Sequence, residues 1–463
     1  MKILYISHRI PYPPDKGDKI RSFHEVKHLS MRHDIHLACL ADDPADISHT
    51  KVLEKLCRTV DVVLINPRKE KIRSLLCLPT ARSLSVSCFY NDKLQKLIDR
   101  RLSTLDFDII FCFSSSMAEY VFQSRSLNHR FGNPQSAIRH AKGQQRRTGA
   151  DNPQSRNPKP GTRNSKLVTR NPQPANPKSE IRNPKLIMDF VDVDSDKWRQ
   201  YAQYTRWPFS WIYGVESERL AAYEKKVAGS FDYSIFISAK EAEIFNGYGK
   251  ERNNILTVPN GVDFSYFKPS GSNSPGNESP TLLFTGAMDY YANVDGVVWF
   301  SKEILPDIIK RFPSLSFYIV GRNPTPAVKA LTNEYVKVTG YVKDIRPFYE
   351  RSTIYVAPLR MARGIQNKIL EAMSMSKPVV TTSKAFEGIE AVPGRDLLIA
   401  DKKTEFIDRI DDLLRNKHRR SSLGQSARRT VEDNYSWERS MELLDRILVS
   451  DEVPLEACQQ TQA

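Results

Sequence analysis

The residues best suited to chemistry lie together in the second half of the chain, in the stretch from Val356 to Met373 and the Lys377-Pro-Val-Val380 run behind it. An apolar strand ends there, a loop containing Gly364 follows, and a helix opens that carries Lys368 and, one turn further in, Glu371. The first amides of a helix have no partner within it and sit at the positive end of its dipole. Amides of Gly364, Ile365, Gln366 and Asn367, with Lys368 and the loop arginines Arg360 and Arg363, therefore suit a diphosphate. A carboxylate one turn further can accept two ribose hydroxyls, which assigns Glu371 to a donor sugar-nucleotide. The plain alternative is an ordinary strand-loop-helix with a surface glutamate.

A second loop, residues 13–21, falls between the first strand and the first helix. Gly17, with Asp18 beside it, lets an anion approach the backbone at that helix start, and Lys16, Lys19 and Arg21 add positive charge. An ordinary turn reads as well from one glycine, and neither a G-x-G-x-x-G nor a Walker A pattern is present. Within the same helix His24-Glu25-x-x-His28 matches the zinc-peptidase spacing. Its usual extension needs Gly at 31 and His at 34, where Met31 and Asp34 stand, although Glu54 stays open as a third ligand. A helix that packs on a sheet favours packed or solvated histidines over a metal site, so no metal is expected, and a zinc hydrolase is the remotest reading.

The elements that must position these residues alternate strand and helix. Strands are expected at 3–7, 35–40, 60–65, 108–113, 186–190, 233–237 and 255–258, with helices at 18–31, 47–57, 207–228 and 239–245. A second alternation has strands at 281–285, 316–320, 336–339, 354–357 and 378–381, and helices at 294–311, 367–375 and 437–448. Such alternation means parallel sheets covered on both faces. The Pro/Gly/Ser/Asn-rich run 267–279 reads as a hinge, so the fold class is α/β: two doubly wound Rossmann-like domains facing across a cleft. The first comprises 1–127 and 186–266. The second, nucleotide-binding domain spans 280–435, a helix at 436–450 crosses back onto the first, and a tail covers 451–463.

Between 128 and 185 repeated Asn-Pro dipeptides and few apolar residues predict a disordered insert. The 463-residue chain has a net charge of +15, but residues 125–185 alone hold 14 Lys and Arg against two acids, leaving +3 for the remainder. The charge thus describes one segment, and no nucleic-acid partner is expected. The six cysteines occur singly, without zinc or disulfide spacing. The first strand is too short for a signal peptide, and no apolar run approaches the roughly 20 residues of a spanning helix. A cytoplasmic location follows, with a peripheral contact at the inner membrane kept open.

The 356–373 segment resembles the E-x7-E region of retaining GT-B glycosyltransferases of the glycosyltransferase 4 class. Also similar are the stretches 255–263, 267–269, 283–286, 318–322 and 338–342. More closely, residues 7–21, 189–198 and 285–290 resemble the sugar transferases associated with PEP-CTERM/exosortase exopolysaccharide clusters. The likeness spans the chain except the Asn-Pro insert and the tail. It implies a retaining, metal-independent transferase moving a sugar from a nucleotide-sugar donor to a lipid-linked or growing polysaccharide acceptor. It needs no cofactor, the nucleotide-sugar being a substrate. It further implies that Glu371 binds the donor ribose, that Gly17 and Gly286 line the phosphate site, and that Gly340, Tyr341 and Val342 meet the base.

Departures from that pattern matter as much. Arg363 occupies the place of the first motif glutamate, eight residues before Glu371. The usual basic pair after Gly286 is missing, the stretch ending instead at Asn293, a further donor-site candidate. No histidine occurs in 186–192, where Asp189 and Asp192 are the candidates for catalysis or acceptor orientation, against plain capping or loop carboxylates. Trp198, Trp207 and Trp211 form either an acceptor wall or core packing. A catalytically inactive nucleotide-sugar-binding protein is the alternative that Arg363 and the missing histidine suggest.

Overall fold

A computed structural model describes residues 1–14, 17–131, 183–247, 254–270, 279–362 and 364–450. Lys16, Arg363 and the tail lie outside these residues, as does the expected insert except at its edges. At those edges Asn128–Phe131 forms a 3₁₀ turn, and Arg130 donates to both oxygens of Asp232 at 2.7 and 2.6 Å. Lys185 already belongs to a strand.

The first domain holds a parallel sheet of strands β1 (Lys2–Ser7), β2 (Asp34–Ala41), β3 (Thr59–Leu64), β4 (Ile109–Phe113), β5 (Lys185–Val191), β6 (Tyr233–Phe236) and β7 (Ile255–Thr257), in the order β3-β2-β1-β4-β5-β6-β7. Side chains alternate across each strand. Leu4 and Ile6 therefore join one core layer, whereas Ile3 and Tyr5 join the other. Both faces are covered, which explains why these strands are continuous apolar runs. The second domain repeats the plan with β8 (Thr281–Thr285), β9 (Ser316–Val320), β10 (Val336–Gly340), β11 (Ile354–Ala357), β12 (Val379–Thr381) and β13 (Leu398–Ile399), in the order β10-β9-β8-β11-β12-β13. The order reverses between β1 and β4 and again between β8 and β11. At such a reversal the connections leave in opposite directions and open a crevice beyond the strand ends.

Several expected elements take a different form. The helix anticipated over 294–311 is interrupted: Tyr291–Trp299 runs into a π turn at Phe300–Ile304 before Leu305–Arg311. Pro306 has no N–H to donate and its ring crowds the preceding turn, so the wider turn is the local solution. The anticipated helix at 47–57 is a 3₁₀ turn, Pro44–His49, and one helical turn, Thr50–Leu53.

The cores change over from one domain to the other at two adjacent points. Val258 packs in the first domain and Val262 in the second, while Tyr435 packs in the second and Trp437 in the first. The two crossings touch, the Val262 amide donating to the Tyr435 carbonyl at 2.7 Å. The chain therefore passes between the two cores at 258–262 and 435–437. The terminal helix Trp437–Val449 then buries Trp437, Met441, Leu444, Ile447 and Leu448 on the first domain.

Because Trp437 is nearly buried and its ring stacks on His24 at 4.1 Å, Trp437→Ala should cost about 3–5 kcal/mol. Urea unfolding checks this, and a loss below about 1 kcal/mol would mean that the terminal helix contributes little to holding the domains.

Candidate functional site

The helix Asn367–Ser374 starts at the β8/β11 reversal, and no side chain at its N-cap position, Gln366, accepts from its first amides. The helix Gly17–Ser30 starts at the β1/β4 reversal. The two starts meet: a Cβ on Gly17 would lie 3.8 Å from Asn367 Nδ2. Asn367 Oδ1 also accepts from Asn260 Nδ2 at 3.1 Å, joining the domains beside the chain crossings.

On the second domain Gly286, Asn293 and Lys368 form one cluster. Gly286 has φ +153°, and a Cβ there would stand 2.7 Å from Asn293 Nδ2 and 3.5 Å from Lys368 Nζ. Lys368 donates to Asn293 Oδ1 at 2.5 Å, and Asn293 donates onward to the Ala287 carbonyl at 2.9 Å. Gly321 supports the loop from behind, since a Cβ on it would fall 1.6 Å from the Gly286 carbonyl oxygen. Two backbones pressed this closely leave no room for a side chain. Burial lowers the Lys368 ammonium to about 8, against the pull of Glu371.

Glu371 Oε2 accepts from Tyr349 Oη at 3.0 Å, and the hydroxyls of Tyr349, Thr285 and Tyr355 continue the chain inward at 3.0 Å each. Burial pushes the Glu371 carboxyl up to about 7, with Tyr349 and Lys368 opposing. Gly340, at φ +73°, accepts from the Gly321 amide at 3.2 Å. Tyr341 is exposed and Val342 packs on the core. Ile365 is buried and Gln366 donates to the Gly364 carbonyl at 3.1 Å, shaping the loop that leads into the helix. Arg360 does not join the cluster: its guanidinium grips Asp295 at 2.9 and 2.5 Å and lies over Trp299.

In the first domain the described cations of the Gly17 loop, Lys19 and Arg21, turn inward. Lys19 pairs with Asp46 at 2.6 Å, both buried. Arg21 is held by Asp189 at 2.7 Å, by Glu25 at 3.1 Å, and by the Val258 carbonyl and Asn260. Asp18 is likewise engaged. Burial opposes its ionisation, yet His8 and Arg9 hold its carboxyl well below the usual range.

Asp189, fully buried, accepts from Arg21 and from the Val191 amide at 2.8 Å, so it braces the floor of the cleft and does not face an acceptor. Asp192 differs. The β5–β6 register slips between Asp189 and Val191, and Val191 adopts φ +67°. A β-branched residue rarely tolerates that conformation. The bend aims Asp192 across the cleft, where a Cβ on Gly364 would lie 2.0 Å from its Oδ1. That oxygen is buried without a hydrogen-bond partner, and burial raises its carboxyl to about 6, with Lys197 pulling it back.

Three participants were not singled out from sequence. Gly321 was visible only as part of a matching stretch. Lys197 lies beside Asp192 and Asp194, whose charges raise its ammonium. Glu241 accepts from the Val193 amide at 2.7 Å and from Gly364 of the opposite domain. Its spacing from Ser238 suggests a local helix cap, which conceals the longer reach. Of the alternative zinc pair, His24 stacks on Trp437 and His28 pairs with Asp445 at 3.0 Å, so both serve the packing of the terminal helix. Trp198 packs among Tyr201 and Tyr213, whereas Trp207 and Trp211 are exposed, which core packing does not describe.

A carboxyl raised by burial costs stability where the native state must carry its charge. For Glu371 the penalty is absent below about pH 4.5, grows as pH rises, and is complete above about 7. Glu371→Gln should therefore raise the melting temperature of the unliganded protein more at pH 8 than at pH 5.5. A gain that is equal at the two values would refute the protonation assigned here.

Comparison with known proteins agrees with the two-domain fold. Residues 279–416 match the family model described as glycosyl transferases group 1. An uncharacterized 44.6 kDa protein in the cps region of Klebsiella pneumoniae is 24% identical over 224 residues, covering 46% of this chain and 55% of that one. The chain thus matches little more than half the length of that relative. Sucrose-phosphate synthase of Thermosynechococcus elongatus superposes with a TM-score of 0.64 at 16% identity, over 97% of this chain and 99% of that one. Anabaena HepE in complex with UDP-glucose gives a TM-score of 0.59 at 14% identity, over 97% and 99%. The molecule has the GT-B fold, and its second domain matches the group 1 glycosyl transferases over residues 279–416.

Proposed function

We propose that the protein is a retaining glycosyltransferase that takes a sugar from a nucleotide-sugar donor, independently of a metal, and delivers it to a lipid-linked or growing polysaccharide acceptor. The observation that carries this reading is the uncapped helix start at Asn367, flanked by Gly286, Asn293 and Lys368 and facing Gly17 across the cleft. A diphosphate placed there meets backbone amides and the Lys368 ammonium, whose charge it stabilises, while Glu371, one turn deeper, accepts from the ribose. HepE, with the same fold, is known in complex with UDP-glucose, which makes UDP the first nucleotide to test. The cps-region relative favours a role in exopolysaccharide synthesis, in keeping with the likeness to the PEP-CTERM/exosortase-associated transferases.

In the reaction the bond between the anomeric carbon and the diphosphate oxygen breaks as the acceptor hydroxyl oxygen bonds to the same face of that carbon. The acceptor proton passes to the departing diphosphate. Amides at 365–367 and Lys368 stabilise the leaving charge, which is the largest contribution a protein can make to such a step. Asp192, unpartnered and turned into the cleft, orients the acceptor hydroxyl. Closure about the chain crossings excludes water.

Thermal-shift titration with UDP-, GDP- and ADP-sugars should show one of them stabilising the protein. Glu371→Ala should weaken that donor about 10- to 100-fold, the worth of hydrogen bonds to a charged group. Donor binding unaffected by the change would sink the ribose assignment. Asp192→Asn should reduce kcat at least about tenfold while leaving donor affinity unchanged, and should remove an acidic limb near pH 6 from the rate profile. An unaltered profile would assign Asp192 to structure alone.

A further inference from the structure

The helix Pro67–Leu75 and the loop after it leave Ile72, Leu75 and Leu76 in water, Leu76 at 76% exposure. At the start of the helix Phe209–Ser230 a second apolar group stands out, with Trp207 81% exposed and Phe209 and Trp211 more than half exposed. The two groups lie on the joint surface of two elements that pack together. Arg219 of the long helix donates to the carbonyls of Cys77 and Leu78 at 3.3 and 2.8 Å, and Glu216 accepts from Ser83, Leu84 and Ser85. Trp211 lies about 12 Å along the helix from Arg219.

This face is also basic. Between residues 66 and 83 Arg73 pairs with the single acid Glu70, which leaves Arg68, Lys69, Lys71 and Arg82 in excess, and Arg206 flanks Trp207. Its position is set by the fold. Pro67–Leu75 follows the C-terminal end of β3, and the hairpin of Asp194–Tyr204 with Phe209–Ser230 follows that of β5. Both therefore rise at the edge of the sheet that faces the cleft. Tyr201 of the hairpin meets Tyr291 of the second domain at 6.3 Å between ring centres, at the cleft rim.

We propose that this face docks on an anionic lipid surface and so presents the cleft to an acceptor carried in that surface. Tryptophan, phenylalanine and leucine enter the headgroup boundary, and the surrounding cations reach lipid phosphates. A second copy of the chain is disfavoured as the occupant, since a twofold contact through this face would set its cations against each other. The proposal takes from the transferase reading the lipid-linked nature of the acceptor, but docking itself is measurable without any donor.

The test is sedimentation of the full chain with vesicles of phosphatidylcholine, alone and with about one-third phosphatidylglycerol. The chain should partition onto the anionic vesicles, and Trp207→Ser, Phe209→Ser and Trp211→Ser together should lower that partition at least about tenfold. Lys69→Glu with Lys71→Glu should abolish the preference for anionic lipid. Both variants should keep the wild-type circular dichroism spectrum and nucleotide-sugar thermal shift. Undiminished sedimentation of the triple variant, equal binding to the two vesicle types, or no vesicle binding overturns the proposal. Intact vesicle binding without any nucleotide-sugar shift would instead count against the transferase reading alone.

Discussion

The helix Asn367–Ser374 starts without a capping side chain at Gln366, and its first residue meets Gly17 and Asn260 of the opposite domain. That uncapped start explains the neighbouring residue choices. Gly286 and Gly321 press backbone on backbone so that the loop can approach an anion, and any side chain at either would collide. Lys368, partly buried, donates to the uncharged Asn293 and lies over the Phe284 ring, with Glu371 as a nearby counter-charge. An ammonium in that position is poorly solvated, so its charge is held at a cost that a neighbouring anion would offset.

Beneath the cleft a different economy operates. Arg21, Glu25 and Asp189 are buried together with Tyr5, whose hydroxyl donates to Glu25 at 2.6 Å. Removing one member of such a group leaves another charge stranded in low dielectric. The group therefore fixes the floor from which Val191 bends and Asp192 emerges. It reaches the second domain through Asn260 and Asn367, beside the two chain crossings. The same few residues thus brace the floor of the cleft and register one domain against the other.

The elements that follow β3 and β5 extend this arrangement outward. Strand ends that face the cleft also launch the apolar and basic helices at its rim, so the surface that would meet lipid and the site that would receive an acceptor are set by one sheet edge. In a doubly wound fold this is a geometric consequence of parallel strands, whose C-terminal loops all gather on one side.

Much of the architecture was legible in the residues. Continuous apolar runs such as 281–285, 316–320 and 354–357 are strands with those limits, because a strand buried on both faces has few other ways to satisfy its sequence. The Gly364 loop, Lys368 and Glu371 were readable from local spacing, since a helix start and its first turns are local structure. Partners distant in sequence were not. Arg21 looked like a phosphate ligand until Asp189 and Asn260 were seen to enclose it, and Arg360 until Asp295 was. Asp189 and Asp192 are indistinguishable by type, and only the slip at Val191 sends one into the floor and the other into the cleft. Sequence alone determined which segments are strands and helices and where the helix carrying Lys368 and Glu371 starts, because those depend on neighbours along the chain. The tertiary structure decided which charges are already paired, because pairing depends on neighbours in space.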